Sequence, residues 1–202
     1  MSDSPGKPAV PVVIRLGDQP ITRWRNGGGS TRQIAIDPPG AGLASEFRWR
    51  VSRAQVASDG PFSVLPGVDR SLWLLRGNGM RLDVGGSDVV IDRVWQRFDF
   101  AGEATVMARL LDGPCEDLNV MTARGKVAAD ARVVTVLSQQ SLEVPAAAQR
   151  LVVVLVGTVD AERGCVLGGG DALRLDGPGE LSVRSMAEPA RLLVVRFAAL
   201  AG

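Results

Sequence analysis

The chain has 202 residues, 46% of them hydrophobic and 22% charged, a globular balance that excludes disorder. Lys+Arg 23 against Asp+Glu 22 leaves a net charge of +1, without the basic excess of a nucleic-acid binder. Histidine and tyrosine are both absent, which removes His-based triads, His general bases, His-ligated metals and phenol acid–base chemistry.

From the amino terminus, Met1 to Pro8 is polar with two prolines, so no signal peptide is expected. Glycine (24) and proline (12) then cut the chain into short apolar runs. Strands are predicted at Val10–Leu16, Gln33–Asp37, Phe47–Arg53, Leu72–Arg76, Met80–Val84, Asp88–Ile91, Thr105–Leu111 and Asp117–Thr122. Further strands are predicted at Arg132–Leu137, Leu151–Val156, Ala172–Leu175, Glu180–Arg184 and Arg191–Phe197. Gly77-Asn78-Gly79 and Gly85-Gly86 read as hairpin turns needing positive φ. No stretch keeps helical apolar spacing, and Pro145 to Gln149 could form one short helical turn at most. Many short strands with regular turns predict an all-β sandwich or barrel.

Leu72 to Gly77 echoes Val152 to Gly157, eighty positions later, and each is followed by a polar strand and a glycine-rich turn. The echo suggests a duplicated barrel. The expected boundaries are 10–138 for an amino-terminal barrel, 139–149 for a linker and 150–198 for a carboxy-terminal barrel. Cys115 and Cys165 form no C-x-x-C pair, and no apolar run approaches the ~20 residues of a membrane span. A cytoplasmic protein with reduced thiols is the expectation, with no membrane and no nucleic-acid partner.

Polar residues gather in four segments of the first half. In the first, Arg25-Asn26 precede three glycines, whose open N–H groups form an anion nest or a plain loop, with Arg32 beyond. In the second, Arg48, Arg50 and Ser52 share one strand face while Trp49, Val51 and Arg53 share the other. Either face turns an arginine inward in a barrel wall, and that arginine must meet a carboxylate from the protein or from a ligand. The third segment carries Asp59, Phe62 and Leu65 and ends in Asp69-Arg70, readable as a local ion pair. In the fourth, Asp117, Asn119 and Met121 share a face, as in a lined pocket or an ordinary solvent face.

These segments resemble the HutD/Ves family. The resemblance rests on Trp24 to Ala35, Trp49 to Ser52, Ala57 to Ser63, Pro66 to Arg70 and Asp117 to Thr122. Two positions depart from the family pattern: Arg25 replaces a usual Lys, and Gln33 replaces a usual Glu. The resemblance implies a bicupin, two cupin-like β-barrels in one chain, with no established enzyme activity. It further implies a link to histidine utilisation through binding of an acidic intermediate, or to stress responses in the Ves branch.

Two functions follow as expectations. The first is a non-catalytic protein binding a small anionic metabolite through Arg25, Asn26, Arg50, Ser52, Asp69, Arg70 and Asn119. Arg50 is its first choice for the carboxylate contact. The second is a metal-independent isomerase or hydrolase using Asp59, Asp69 or Asp117 as base. No metal and no cofactor are expected, and a homodimer is left open.

Overall fold

The computed structural model of the chain describes residues 11–200, except 44, 146, 162–163 and 178–180. The expectations for Met1 to Pro8, Val10 and Glu180 lie outside the described residues. The fold is all-β, and its short strands follow the glycine and turn punctuation of the sequence.

In chain order the first strands are β1 (Val12–Ile14), β2 (Ile21–Arg23), β3 (Gly29–Asp37), β4 (Trp49–Val56) and β5 (Gly60–Pro61). Next come β6 (Val68–Arg76), β7 (Met80–Val84), β8 (Ser87–Ile91), β9 (Arg97–Ala101), β10 (Val106–Leu110) and β11 (Cys115–Ala123). Then follow β12 (Val127–Val136), β13 (Ser141–Val144), β14 (Gln149–Val156) and β15 (Thr158–Asp160). The last are β16 (Val166–Gly168), β17 (Ala172–Asp176), β18 (Leu181–Ser185) and β19 (Ala190–Ala199). A single 3-10 turn, Leu16–Asp18, is the only helical element among the described residues. Pro145 to Gln149 contains no helical turn among its described residues.

The strands divide between two compact units, one running from Gln19 to Val127, the other holding residues up to Asp18 and from Ala128 onward. In the Gln19–Val127 unit, a six-stranded sheet of order β2-β3-β4-β11-β6-β9 faces a four-stranded sheet of order β5-β10-β7-β8. Alternation along β4, β6 and β11 sends every second residue toward the space between the sheets. There Val56, Leu72, Leu74 and Cys115 meet Met80, Leu82, Ile91, Val106 and Ala108 in one apolar core. A smaller cluster of Ile36, Phe47, Val68 and Met121 forms a second apolar group in this unit. Gly77-Asn78-Gly79 is not the expected hairpin turn, because β6 and β7 lie in different sheets. Gly77 (φ +88) and Gly79 (φ +94) carry the chain from one sheet to the other in the left-handed geometry that glycine adopts without a Cβ penalty. Gly85-Gly86 closes the β7–β8 hairpin as expected.

The other unit repeats the plan. A five-stranded sheet of order β1-β17-β14-β19-β12 and a four-stranded sheet of order β13-β18-β15-β16 enclose a valine- and leucine-rich core. β1 pairs with β17, and Arg15 beside it forms a 2.8 Å ion pair with Asp171. Gly157 follows β14 with φ +88, the angle Gly77 adopts after β6.

The division between units falls at Val127, not within the expected linker 139–149. That stretch reads as a linker because it falls between the two echoed halves, yet β13 lies in it and pairs with β18 in full register, Ser141 to Arg184 through Val144 to Leu181. Leu142 packs against the core and so anchors this short edge strand. The range 150–198 likewise omits β1 and β12, both strands of that unit's larger sheet.

Candidate functional site

The inner face of the six-stranded sheet is not apolar throughout. Register sets Arg50, Met121 and Arg70 opposite one another across β4, β11 and β6, and Ser52, Asn119 and Leu72 in the next inward row. Gln33 lies beside Ser52 on β3. The β4 and β11 positions follow from two-residue periodicity alone, since Arg50 and Ser52 share the inward parity of Val56, as Asn119 and Asp117 share that of Cys115.

Each arginine is buried and held by neutral groups. Arg50 Nε donates to Gln33 Oε1 at 2.9 Å, and its Nη1 reaches Ser52 Oγ at 3.1 Å and Met121 Sδ at 3.9 Å. Arg70 Nη2 donates to Asn119 Oδ1 at 2.8 Å and Nη1 to the Ser63 carbonyl at 3.3 Å. The Arg70 guanidinium also lies 4.6 Å from the Phe100 ring centroid and 5.5 Å from that of Phe62, a cation–π arrangement. Its buried Nε has no hydrogen-bond partner among the described residues. Asn119 turns its other end to a third group, Nδ2 donating to Asp117 Oδ1 at 2.5 Å. One amide thus bridges the Arg70 cation to a carboxylate in this inward layer.

Burial dominates the electrostatics. It lowers the basicity of Arg50, and it brings Arg70 down to about 10, with Asp117 opposing that shift and Arg50 reinforcing it. It raises Asp117 to about 7 against the pull of Arg70 and the Asn119 hydrogen bond, with Glu116 adding to the rise. The Cys115 thiol is pushed up to about 12 by burial and by Asp117, which leaves it inert as a nucleophile at neutral pH. Two guanidiniums therefore share a buried layer with one reluctant carboxylate, and among the described residues neither has a carboxylate within ion-pair distance.

Three of the four polar segments contribute: Arg50 and Ser52 from the second, Phe62, Ser63 and Arg70 from the third, and Asp117, Asn119 and Met121 from the fourth, joined by Gln33, which lies just beyond the first. Arg50, Ser52, Arg70 and Asn119 are brought together as expected. Three expected site residues are not. Asp69 sits one position from Arg70 and so faces the other way, exposed and paired with Arg124 at 2.7 Å rather than with Arg70. Arg25 and Asn26 are exposed in the β2–β3 loop, where the Asn26 amide oxygen accepts from Gly28 N–H at 3.0 Å. That loop closes a hairpin, so its glycines serve the turn. Gln33, Phe62, Phe100 and Met121 are not among the expected site residues; Gln33 faces inward only because β3 shifts register between Gln33 and Ala35, which alternation from the inward Ile36 does not reveal.

A cavity of about 390 Å³ opens on the opposite, outward face of the same sheet, lined in part by Arg32, Arg53, Arg76 and Glu116. Glu116 lies 2.8 Å from Arg53 and 3.9 Å from Arg76, so the cavity's three arginines share one carboxylate and the lining keeps a positive excess. Among the described residues no group of three His, Cys, Asp or Glu side chains is placed to hold a metal ion. Among them also, no helix is long and apolar enough to cross a membrane.

Known proteins are similar to this chain in sequence and in fold. Protein Ves of Cronobacter sakazakii is 44% identical over 115 residues, covering 56% of this chain and 61% of Ves. A 21.2 kDa protein from the hutC 3′ region of Pseudomonas putida is 39% identical over 111 residues, 55% of this chain and 57% of that protein. The chain thus spans about three fifths of these curated relatives. The solved structure of HutD from Pseudomonas fluorescens superposes with a TM-score of 0.77 at 31% identity, covering 95% of this chain and all of HutD. At 9–12% identity, an Escherichia coli pirin (TM-score 0.70) and a cupin barrel protein from Leptotrichia buccalis (0.57) show that the fold is cupin-like. The HutD family model matches residues 17–193, and this chain belongs to the HutD family.

Proposed function

We propose that this chain is a non-catalytic cytoplasmic receptor for a small carboxylate metabolite, built as a bicupin, whose amino-terminal barrel holds the ligand and whose occupancy moderates histidine utilisation. One observation carries the proposal: Arg50 and Arg70 are buried on the inner sheet face with no carboxylate in ion-pair distance among the described residues. A buried guanidinium without a carboxylate in direct contact is costly, and a ligand carboxylate removes that cost. Family membership and the hutC-region relative support the link to histidine utilisation.

A thermal-shift screen of small carboxylates tests the reading, since a ligand at about 100 times Kd adds about 2.7 kcal/mol of stability. For a hit, Arg50→Ala is expected to weaken binding by about 1.5–3 kcal/mol, the worth of a hydrogen bond to a charged group. Asp69→Ala, on the exposed face, should bind as the native chain does. Equal losses in both variants, or none in Arg50→Ala, would remove Arg50 from the site.

Gln33 offers a subtler check. Its Oε1 is the acceptor for Arg50 Nε, so Gln33→Glu places a carboxylate where a neutral amide now stands. That carboxylate competes with the ligand for the same cation. Calorimetry should show affinity falling about tenfold, equivalent to ~1.4 kcal/mol, and unchanged affinity would mean that the ligand does not use Arg50.

A second reading has one observation in its favour. Asp117 is buried and raised to about 7, the range of an effective general base. Asp59 and Asp69 lack that setting, as Asp59 accepts from Leu110 N–H and Asp69 pairs with Arg124. NMR observation of each bound carboxylate over hours separates the readings, because turnover would establish the enzyme.

A further inference from the structure

The carboxylate-receptor reading leaves Asp117 unexplained, and a role for this residue is inferred on the strength of that reading. Sealing an acid inside an apolar core is costly, and nothing about anion capture by arginines requires one. Its position is specific. Asp117 sits opposite Ala54 on β4 and Leu74 on β6, one inward row beyond the row of Asn119. Its carboxylate takes the Asn119 amide N–H, and the same amide's oxygen takes Arg70. Both ends of the amide are thereby committed, so its orientation is fixed.

The charged and titratable groups around Asp117 are few. β4 contributes Arg50 and β6 contributes Arg70, both on this face. β11 itself carries the Cys115 thiol on the same face, and Glu116 on the other, where Arg53 holds it. β3 adds only the neutral Gln33, and β9 the Phe98 and Phe100 rings. The facing sheet presents Met80, Leu82, Ile91, Val106 and Ala108 to this core, none of them ionisable. Asp117 is therefore the only carboxylate that shares the interior with the two arginines among the described residues, and Arg70 is the main influence favouring its charge.

We infer that Asp117 is the resident counter-anion of the site, and that capture of a ligand carboxylate neutralises it, a proton from solvent passing to each Asp117 carboxylate that was ionised before the ligand bound. The reason is electrostatic competition. A ligand carboxylate on Arg70 or Arg50 cancels the positive potential that keeps Asp117 ionised and places a second negative charge in the same low-dielectric space. Two carboxylates sharing such a site do not both stay charged. With Asp117 half-ionised near pH 7 in the empty site, the exchange falls in the physiological range. The proton balance is simple: Asp117 COO⁻ plus H⁺ becomes Asp117 COOH, and no other bond changes. Affinity then depends on pH as well as on ligand concentration, and is lost as pH rises.

Formate is a suitable probe, because it is small and stays fully ionised between about pH 6 and pH 8. The expected result is a formate Kd about tenfold weaker at pH 8 than at pH 6, as linkage to one proton with a midpoint near 7 requires. At pH 8 the binding enthalpy should vary with the ionisation enthalpy of the buffer, reporting nearly one proton taken up. Asp117→Asn, a neutral isostere, should bind at both pH values with the affinity the native chain shows at pH 6. Formate binding with the same Kd at both pH values and no proton uptake overturns the inference and leaves the receptor reading standing. No formate binding at either pH overturns the receptor reading and the inference with it. Should Asp117→Asn not fold, the buffer dependence measured on the native chain decides the matter alone.

Discussion

At pH 8, Asp117→Asn should be more stable than the native chain, by on the order of 4 kcal/mol in urea denaturation. Asp117 titrates near its ordinary 3.8 when unfolded and near 7 when folded, because burial disfavours the charge. Between those values the folded state binds more protons than the unfolded state, so stability falls as pH rises. The contribution is fully present below 3.8 and lost as pH climbs through 7. Each unit is worth ~1.36 kcal/mol, which gives the size of the gain at pH 8. The same variant should lie within about 1 kcal/mol of the native chain at pH 4, where the native side chain is neutral in the fold. The introduced amide keeps an oxygen for the Asn119 N–H, so the bridge to Arg70 survives. A variant less stable than the native chain at pH 8 would mean that Asp117 is held as a stabilising anion, contrary to its apolar surroundings.

Gly79→Ala should cost the fold about 3 kcal/mol or more. At φ +94 an alanine pays roughly 1–2 kcal/mol for the left-handed backbone. Its Cβ would also lie 2.0 Å from the Ile91 carbonyl oxygen and 2.9 Å from Asp92 Cα, both backbone atoms that cannot swing aside. Overpacking of that kind adds about 1–3 kcal/mol. Gly86 is the internal control. It has φ +91 with nothing within 4 Å of an added methyl, so Gly86→Ala should show the conformational cost alone. Equal melting-temperature shifts in the two variants would show that the β7–β8 edge moves freely away from the turn.

Much of the fold is legible in the sequence, and the failures have identifiable causes. Met80–Val84 is legible to the residue, because it alternates apolar and polar between glycine turns that nothing else obscures. Strands buried on both faces are found but drawn too short: β6 begins at Val68 and β11 at Cys115, where charged or small residues hide the run. β9, Arg97–Ala101, escapes the strand reading, since its exposed Arg97 and Asp99 pair with each other on the outer face. At the site, parity is sufficient for Arg50, Ser52, Arg70 and Asn119. Parity also excludes Asp69, and taking Asp69-Arg70 as a local ion pair overlooks that adjacent strand residues point to opposite faces. What a single sequence could not supply is the pairing of β4 with β11 and of β11 with β6, which brings positions 50, 121 and 70 into one row.

The pairing of β1 with β17 bears on how the chain acquires its fold during synthesis. The Gln19–Val127 unit is one uninterrupted stretch whose two sheets draw their strands from within it. It can condense as soon as it leaves the ribosome. β1 is made before it but takes its place in a sheet through β17, and the adjoining Arg15–Asp171 contact spans 156 positions. Until β17 is made, those three residues wait as an unpaired strand. Closing so long a loop in a disordered chain carries a large entropy cost, and contacts of high sequence separation slow folding. Prior folding of the inserted unit, Gln19–Val127, removes about a hundred residues from the free loop that must close. The order of synthesis thus favours a sequential route, with the arginine-bearing unit formed first and the sheet containing β1 and β17 completed last.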